Sequence, residues 1–333
     1  MAGESSKVQC AMCPRFCEIA EGGSGFCRVR ANRNGRIVLS TFGKVISPAV
    51  DPMEKKPLYH FYPGTPILSL GSIGCNMACD FCQNADISKT GDLSRLTVEL
   101  PPEKVPELAI EKDCRSVAFT YNEPIVWAEY AVAVAQALHE QGLRTVAVTA
   151  GYIAPEKRAW FFGAMDAANV DLKGFREDFY REEIGADLES VKETLRFIAK
   201  ETDCWLEITT LLIPTRNDSE EEISRMCDWI ARALGPETPL HLSAFHPAHR
   251  RTDLPRTPPE TLFRAREWAF RSGLRHVYTG NIPDPAGQST YCPQCGQTLI
   301  FRNSYSIEEY NIDDEGCCRF CGQSICGRFA DGD

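Results

Sequence analysis

The stretch Gly74-Cys75-Asn76-Met77-Ala78-Cys79-Asp80-Phe81-Cys82 reads C-x3-C-x2-C and directly follows the apolar run Ile67–Gly71. Cys thiolates hold iron–sulfur clusters, and four irons ordinarily want four ligands. Three close Cys leave one iron without a protein ligand. An open metal position is the general mark of a site that binds substrate or cofactor. Spacing alone leaves two alternatives: a zinc knuckle completed by a distant fourth ligand, or three buried structural thiols.

Outward from this loop, short apolar runs alternate with helical segments. Strands are expected at Ile67–Gly71, Ser116–Thr120, Arg144–Thr149, Asn169–Leu172, Cys204–Leu212, Leu240–Ala244 and His276–Tyr278. Helices are expected near Pro102–Lys112, Ile125–Gln141, Pro155–Gly163, Leu188–Lys200, Ser219–Leu234 and Pro259–Arg271. Asp218-Ser219 before Glu220-Glu221-Glu222, and Pro258-Pro259-Glu260, are helix-start signals. Strand–helix alternation implies parallel βαβ units. The expected fold class is therefore α/β, a partial or full (β/α) barrel with small Cys-rich metal modules at both ends; a doubly wound sheet is the runner-up. In a barrel, chemistry sits at the C-terminal ends of the strands, where the C-x3-C-x2-C loop falls. The expected division is an N-terminal metal module over 1–45, a linker over 46–66 carrying five prolines, the barrel over 67–285 and a zinc-ribbon-like module over 286–333.

A chain of 333 residues suits about two domains, or one large domain with appendages. Its 43% hydrophobic and 25% charged residues are those of a globular protein, so wholesale disorder is not expected. The net charge of −10 argues against a nucleic-acid partner. The opening MAGESSKVQC lacks the apolar run of a signal peptide. No stretch reaches the ~18 apolar residues of a membrane span. A cytoplasmic location with reduced thiols is the expectation, and there clustered Cys signal metal rather than disulfides. Of 16 Cys, all but Cys114, Cys204 and Cys227 lie in three clusters; those three read as buried core thiols.

The two outer clusters have enough thiols to close a site. Cys292-x2-Cys295 and Cys318-x2-Cys321 have zinc-ribbon spacing. Cys318 is chosen over Cys317 by the x2 spacing, and Cys326 has no assigned role. Cys10-x2-Cys13-x3-Cys17-x9-Cys27 could hold zinc, the preferred reading, or a second iron–sulfur cluster.

The C-x3-C-x2-C loop after the first barrel strand resembles that of the radical S-adenosylmethionine (SAM) superfamily. Within it, Asp51-Pro52-Met53-Glu54-Lys55-Lys56-Pro57-Leu58-Tyr59-His60-Phe61, Pro63-Gly64 and Phe81-Cys82-Gln83-Asn84 resemble the AmmeMemoRadiSam-system radical SAM enzymes. So do Thr120-Tyr121-Asn122-Glu123-Pro124, Asp171-Leu172-Lys173-Gly174-Phe175, Phe245-His246-Pro247 and Tyr278-Thr279-Gly280-Asn281. The resemblance spans nearly the whole chain, and these enzymes are similar to the pyruvate formate-lyase activating enzymes.

The resemblance implies a 4Fe–4S cluster on Cys75, Cys79 and Cys82, with SAM chelating the fourth iron. It implies reductive cleavage of SAM to a 5′-deoxyadenosyl radical, which takes hydrogen from a substrate that no residue here identifies. Glu123 would accept from the methionyl ammonium; the plain alternative is an acid at a helix start, favoured by the macrodipole. Asp171 and Lys173 would surround SAM, the alternative being a structural ion pair. His246 and Asn281 would lie near SAM, with a surface or capping role as the alternative for His246. Phe81 would pack beside adenine or shield the cluster. Thr149 and Gly151 would approach SAM, but the activating enzymes' Asp-Thr-Asn-Gly reads here Val148-Thr149-Ala150-Gly151. The missing acid puts any cation site of that kind in doubt.

The expected function is a radical SAM enzyme, an oxidoreductase or lyase fed by a one-electron reductant such as flavodoxin or ferredoxin. Memo-like or AMMECR-like proteins are implied as substrate or partner by the family's name. The rivals are a glycyl-radical activating enzyme, a radical SAM enzyme acting on a small metabolite, and a non-catalytic metal-binding scaffold.

Overall fold

The computed structural model describes residues 7–329; residues 1–6, which begin the stretch read for a leader and the N-terminal module, and 330–333, which end the C-terminal one, lie outside the described residues. Two short antiparallel hairpins open the chain: β1 (Val8–Gln9) with β2 (Glu18–Ile19), and β3 (Arg30–Arg33) with β4 (Arg36–Leu39). Nine strands then build the main sheet: β5 (Lys44–Pro52), β6 (Pro66–Gly71), β7 (Val98–Glu99), β8 (Ser116–Phe119), β9 (Arg144–Thr149), β10 (Ala167–Asp171), β11 (Trp205–Leu212), β12 (Leu240–Ala244) and β13 (Val277–Gly280).

Their spatial order is β13-β12-β11-β10-β9-β8-β6-β5-β7. From β6 to β13 each strand of this row pairs in parallel with the next, while β5 and β7 are antiparallel additions at one edge. A doubly wound sheet reverses its strand order at a switch point. No reversal occurs here. Crossovers of one hand then leave every helix on the same side of a curling sheet, which is a partial (β/α) barrel. The parallel strands are buried along almost their whole length, as two-sided cover requires.

The helices are α1 (Ala85–Ser88), α2 (Val105–Glu111), α3 (Ala128–His139), α4 (Pro155–Phe162), α5 (Glu177–Phe179, running into a π turn at Tyr180–Ile184), α6 (Leu188–Glu201), α7 (Glu220–Ala233), α8 (Pro259–Arg271) and α9 (Pro285–Gln288). Asp187 caps α6 through the Ser190 N–H and Ser219 caps α7 through the Glu222 N–H, which settles where both begin. On α6, Val191, Leu195 and Ile198 recur at helical spacing and are fully buried. Burying each such side chain contributes roughly 1.5–3 kcal/mol. A three-stranded antiparallel sheet follows: β14 (Thr290–Tyr291), β15 (Thr298–Asn303) and β16 (Ser306–Tyr310).

The strands at 144–149 and 240–244 and the helix at 259–271 match expectation, and the other strand ends move by only one or two residues. The linker expected over 46–66 is a correction. Residues 44–52 form β5, and the segment after it fills the barrel interior. Met53, Leu58, His60 and Phe61 are fully or almost fully buried. Phe61 and Leu58 pack with Ala118 on β8, Val146 on β9 and Ala167 on β10. Two of these three inward positions are Ala, which leaves room for a chain segment.

Backbone polar groups of such a segment need partners. Here side chains from distant strands supply them. Asn169 donates to the Pro57 carbonyl at 2.8 Å. Glu207 accepts the N–H groups of Tyr59 (3.0 Å) and His60 (2.8 Å). Arg302 of the C-terminal sheet donates to the Tyr59 carbonyl at 2.8 Å and pairs with Glu54 at 3.4 Å, both side chains fully buried. The Arg328 N–H donates to the His60 carbonyl at 2.7 Å. The interior segment thus joins barrel and C-terminal sheet.

Candidate active site

A cleft of about 470 Å³ opens at the C-terminal ends of the barrel strands. Each strand contributes. Cys75, Cys79 and Cys82 come from the loop after β6, and Thr120 to Glu123 follow β8. Thr149 ends β9; Asp171 ends β10 with Lys173 just beyond it. Thr209 and Leu211 lie on β11, Ser243 on β12, and Asn281 follows β13. A second cleft of about 470 Å³ lies at the opposite end, lined by Tyr62, His139, Asp166 and Arg328. It holds a single thiol, that of Cys204, against three in the first, so chemistry rather than size selects the first.

The Cys75–Cys82 loop is shaped by one side chain. Asn122 donates to the Ile73 (3.1 Å) and Gly74 (3.0 Å) carbonyls and accepts the Ser72 N–H at 3.0 Å. Gly74 has φ +81°, a conformation that favours glycine, and a Cβ there would stand 2.3 Å from the Cys27 carbonyl oxygen. The loop is therefore clamped between β8 and the N-terminal module. Lys89 also braces it, donating to the Met77 carbonyl at 2.6 Å.

Burial pushes the Cys75 thiol up to about 12, with the charge of Glu123 adding to it, and burial also raises Cys79. Ionising them requires a cation in their midst, which deprotonates coordinating thiols outright. Their sulfurs do not converge as on one tetrahedral ion. Among the described residues, the group of three or more candidate ligands whose atoms all lie within 4.8 Å of one another is Cys292, Cys295, Cys318 and Cys321. A cluster spreads its ligands over several irons, so the wider Cys75, Cys79 and Cys82 set fits an iron–sulfur cluster open toward the cleft.

Glu123 is 3% exposed. Its carboxylate accepts the Thr149 hydroxyl at 2.5 Å and the N–H groups of Ala150 (2.8 Å) and Ile125 (3.0 Å). Burial raises its pKa, and those three donors oppose the rise. Lys173 pairs with Asp171 at 2.7 Å; burial works against its charge, but Asp171 outweighs it and the net shift is upward. Phe81 lies at the cleft and stacks with Phe179, ring centroids 6.1 Å apart. Asn281 (φ +61°) lines the cleft and donates to the Ala244 carbonyl at 3.1 Å.

Two expected residues fall outside the cleft wall. Gly151 (φ +67°) turns its α-carbon to Val170 and donates its N–H to Thr149 Oγ1 at 3.0 Å, so it shapes the Thr149 turn. His246 is exposed, and Gln83 of the cleft wall lies 3.3 Å from its Nδ1. Sequence reasoning missed Lys56 and Tyr121. Asp51 receives Lys55 and Lys56 at 2.7 Å and the hydroxyls of Ser69 and Tyr121 at 2.8 Å. Burial works against the charge of Asp51, but its lysine partners outweigh it and hold it below the usual carboxylate range. Lys56 and Tyr121 therefore put a charged, hydrogen-bonded wall beside the thiols. Both lie inside quoted motifs, which was the available signal.

At the other end of the chain, Cys292 and Cys321 sulfurs are 3.6 Å apart and Cys295 and Cys318 sulfurs 3.8 Å. A tetrahedral ion with Zn–S bonds of about 2.3 Å spaces its sulfurs about 3.8 Å apart. Cys317 instead turns to the Glu315 carbonyl, and Cys326 is exposed. Cys114, Cys204 and Cys227 are buried, and all sixteen Cys are free. Among the described residues no helix is long and apolar enough to cross a membrane.

Comparison with known proteins agrees with this geometry. Residues 70–228 match the Radical SAM superfamily. The chain is 42% identical over 323 residues to an uncharacterized protein of Methanocaldococcus jannaschii, covering 97% of this chain and 96% of that one. It is 24% identical over 176 residues to the pyruvate formate-lyase-activating enzyme of Clostridium pasteurianum, 52% of this chain and 72% of that one. Among solved structures, SuiB of Streptococcus suis bound to precursor peptide SuiA aligns with TM-score 0.52 at 13% identity, over 69% of this chain and 51% of that one, a likeness of fold.

Proposed function

We propose that this chain, in one family with the Methanocaldococcus jannaschii protein and matching the Radical SAM superfamily over residues 70–228, is a radical SAM enzyme using SAM and a 4Fe–4S cluster on Cys75, Cys79 and Cys82. The observation that carries this reading is the open, three-thiol set at the C-terminal mouth of a partial barrel, facing a buried carboxylate. When bound, the two cofactors supply reductive cleavage of SAM and a 5′-deoxyadenosyl radical that abstracts hydrogen.

The chain's own residues bind, orient and exclude water. Glu123, held by three donors, accepts the methionyl ammonium. Asp171 and Lys173 offer one acceptor and one cation to the polar ends of SAM. Phe81 supplies an apolar face for adenine, Asn281 a further polar contact, and Thr149 with Gly151 sets the Glu123 carboxylate. His246 acts at the rim. The working division is a barrel over 67–285 flanked by modules at 1–45 and 286–333, with zinc on Cys292, Cys295, Cys318 and Cys321 as a structural tie. A flavodoxin- or ferredoxin-class donor in the cytoplasm supplies the electron. A protein is the proposed hydrogen donor, and Memo-like and AMMECR-like proteins are the partners to test first.

The test is anaerobic reconstitution with iron, sulfide, SAM and dithionite. 5′-Deoxyadenosine should form, and C79A should abolish it. An intact cluster without that product sinks the reading.

A further inference from the structure

The N-terminal cysteines form a site that the proposed chemistry does not use. Cys10, Cys13, Cys17 and Cys27 line one small, mostly apolar pocket with Arg30 and Asn76. Backbone and amide N–H groups surround its sulfurs. The N–H groups of Val29 and Arg30 lie near Cys27, and the Arg15 N–H and the Asn76 amide, which donates to the Tyr152 carbonyl at 2.7 Å, lie near Cys13. The Phe26 N–H stands 3.5 Å from Cys17 Sγ. Arg30, 5% exposed, pairs with Glu129 through its terminal nitrogens but keeps its Nε buried without an acceptor among the described residues. N–H groups around sulfur, with a guanidinium alongside, are what an anionic thiolate-bound metal needs.

Two observations choose between metals. The four sulfurs share a pocket but do not draw within 4.8 Å of one another as the C-terminal quartet does. Nor do those of Cys75, Cys79 and Cys82, among the described residues. One tetrahedral ion needs compact sulfurs, whereas a multi-iron cluster needs spread ones. The pocket also abuts the central site. Arg15 donates to the Asn76 carbonyl at 2.5 Å, the Asn76 side chain touches Cys13, and Asn76 follows Cys75 in the chain. Zinc has no redox chemistry with which to use that adjacency, and an iron–sulfur cluster has. We propose that Cys10, Cys13, Cys17 and Cys27 hold a second, four-thiolate iron–sulfur cluster next to the central site, and that zinc is confined to the C-terminal quartet.

The experiment counts iron, sulfide and zinc in anaerobically reconstituted full-length protein. Wild type should carry about eight irons, two four-iron clusters' worth, and about one zinc. The C75A/C79A/C82A variant lacks the central site, so its outcome is independent of the function proposed above. It should keep about four irons and give an electron paramagnetic resonance signal on reduction with dithionite. Adding C10A, C13A, C17A and C27A to that variant should remove the rest. An iron-free C75A/C79A/C82A protein, whatever its zinc content, overturns the proposal. Should that variant fail to fold, about four irons in wild type, in place of about eight, overturns it equally.

Discussion

Glu123 accepts the Thr149 hydroxyl at 2.5 Å, so the carboxylate at the end of one barrel strand is aimed by the strand next to it. The charge that would meet the SAM ammonium is thereby oriented before SAM arrives. Hydrogen bonds to charged groups are worth about 1.5–3 kcal/mol. Glu123→Gln should therefore weaken SAM binding roughly 10–100-fold while leaving iron content unchanged, since the thiols are untouched. Equilibrium binding to the reconstituted protein checks this, and unaltered affinity would count against Glu123 as the ammonium acceptor.

Glu207 is fully buried at the other end of the barrel and accepts four donors: the Tyr59 and His60 N–H groups, the Trp205 indole and His241 Nε2. Burial works against its charge, yet the His241 hydrogen bond and the other donors hold it down at about 2. Glu207→Ala strands those donors and releases the interior segment. The expected loss is at least about 3 kcal/mol of unfolding free energy, read from denaturant titration.

His60 carries a pH dependence. Its Nδ1 lies 2.7 Å from the Cys326 carbonyl, an acceptor only, so Nδ1 holds the proton and Nε2 accepts from the Tyr278 hydroxyl. Burial, with His276 nearby, lowers its pKa from 6.5 to about 3. The unfolded chain therefore takes up a proton that the folded chain refuses. Stability from this group is full above pH 6.5 and falls as the pH drops toward 3. The loss amounts to at most about 5 kcal/mol. His60→Asn should flatten the stability–pH slope between those limits; an unchanged slope refutes the assignment.

Cys317 and Cys318 are neighbours with different fates. Cys318 Sγ lies 3.8 Å from Cys295 Sγ, whereas Cys317 points to the Glu315 carbonyl. C318S should lose about one zinc per chain and lower the melting temperature. C317S and C326S should retain it by elemental analysis.

Gly74→Ala tests the clamp on the central loop. The added methyl would sit 2.3 Å from the Cys27 carbonyl oxygen, at a φ of +81°. The strain is on the order of 1–3 kcal/mol. The variant should fold with reduced iron at Cys75, Cys79 and Cys82, whereas Gly43→Ala, also at positive φ but with nothing within 4 Å, should keep its iron.

Much of the barrel is legible in local pattern. Apolar runs of strand length, capped helices such as that starting after Ser219, and the thiol spacing of residues 75–82 each declare themselves within a short window. The same holds for the pairing of Cys318 rather than Cys317 with Cys321, because the x2 knuckle is a local geometry. The family resemblance pointed to Glu123, Asp171 and Lys173, and the structure brings all three to one cleft with the thiols.

What local pattern could not show is the segment over 46–66. Its five prolines read as a connection, yet it supplies an edge strand and then packs inside the barrel. Its backbone is satisfied by Glu207, Asn169 and Arg302, between 112 and 243 residues away from their partners. Sequence periodicity reports which face of an element is apolar. It carries no record of which distant side chain will meet a buried carbonyl or N–H. The residue types of the thiol clusters and the alternation of the barrel were therefore set out by the sequence alone. The position of Lys56 in the cleft, the turning of Gly151 away from it and the contact between the two thiol sites depended on long-range polar satisfaction, which only the folded chain decides.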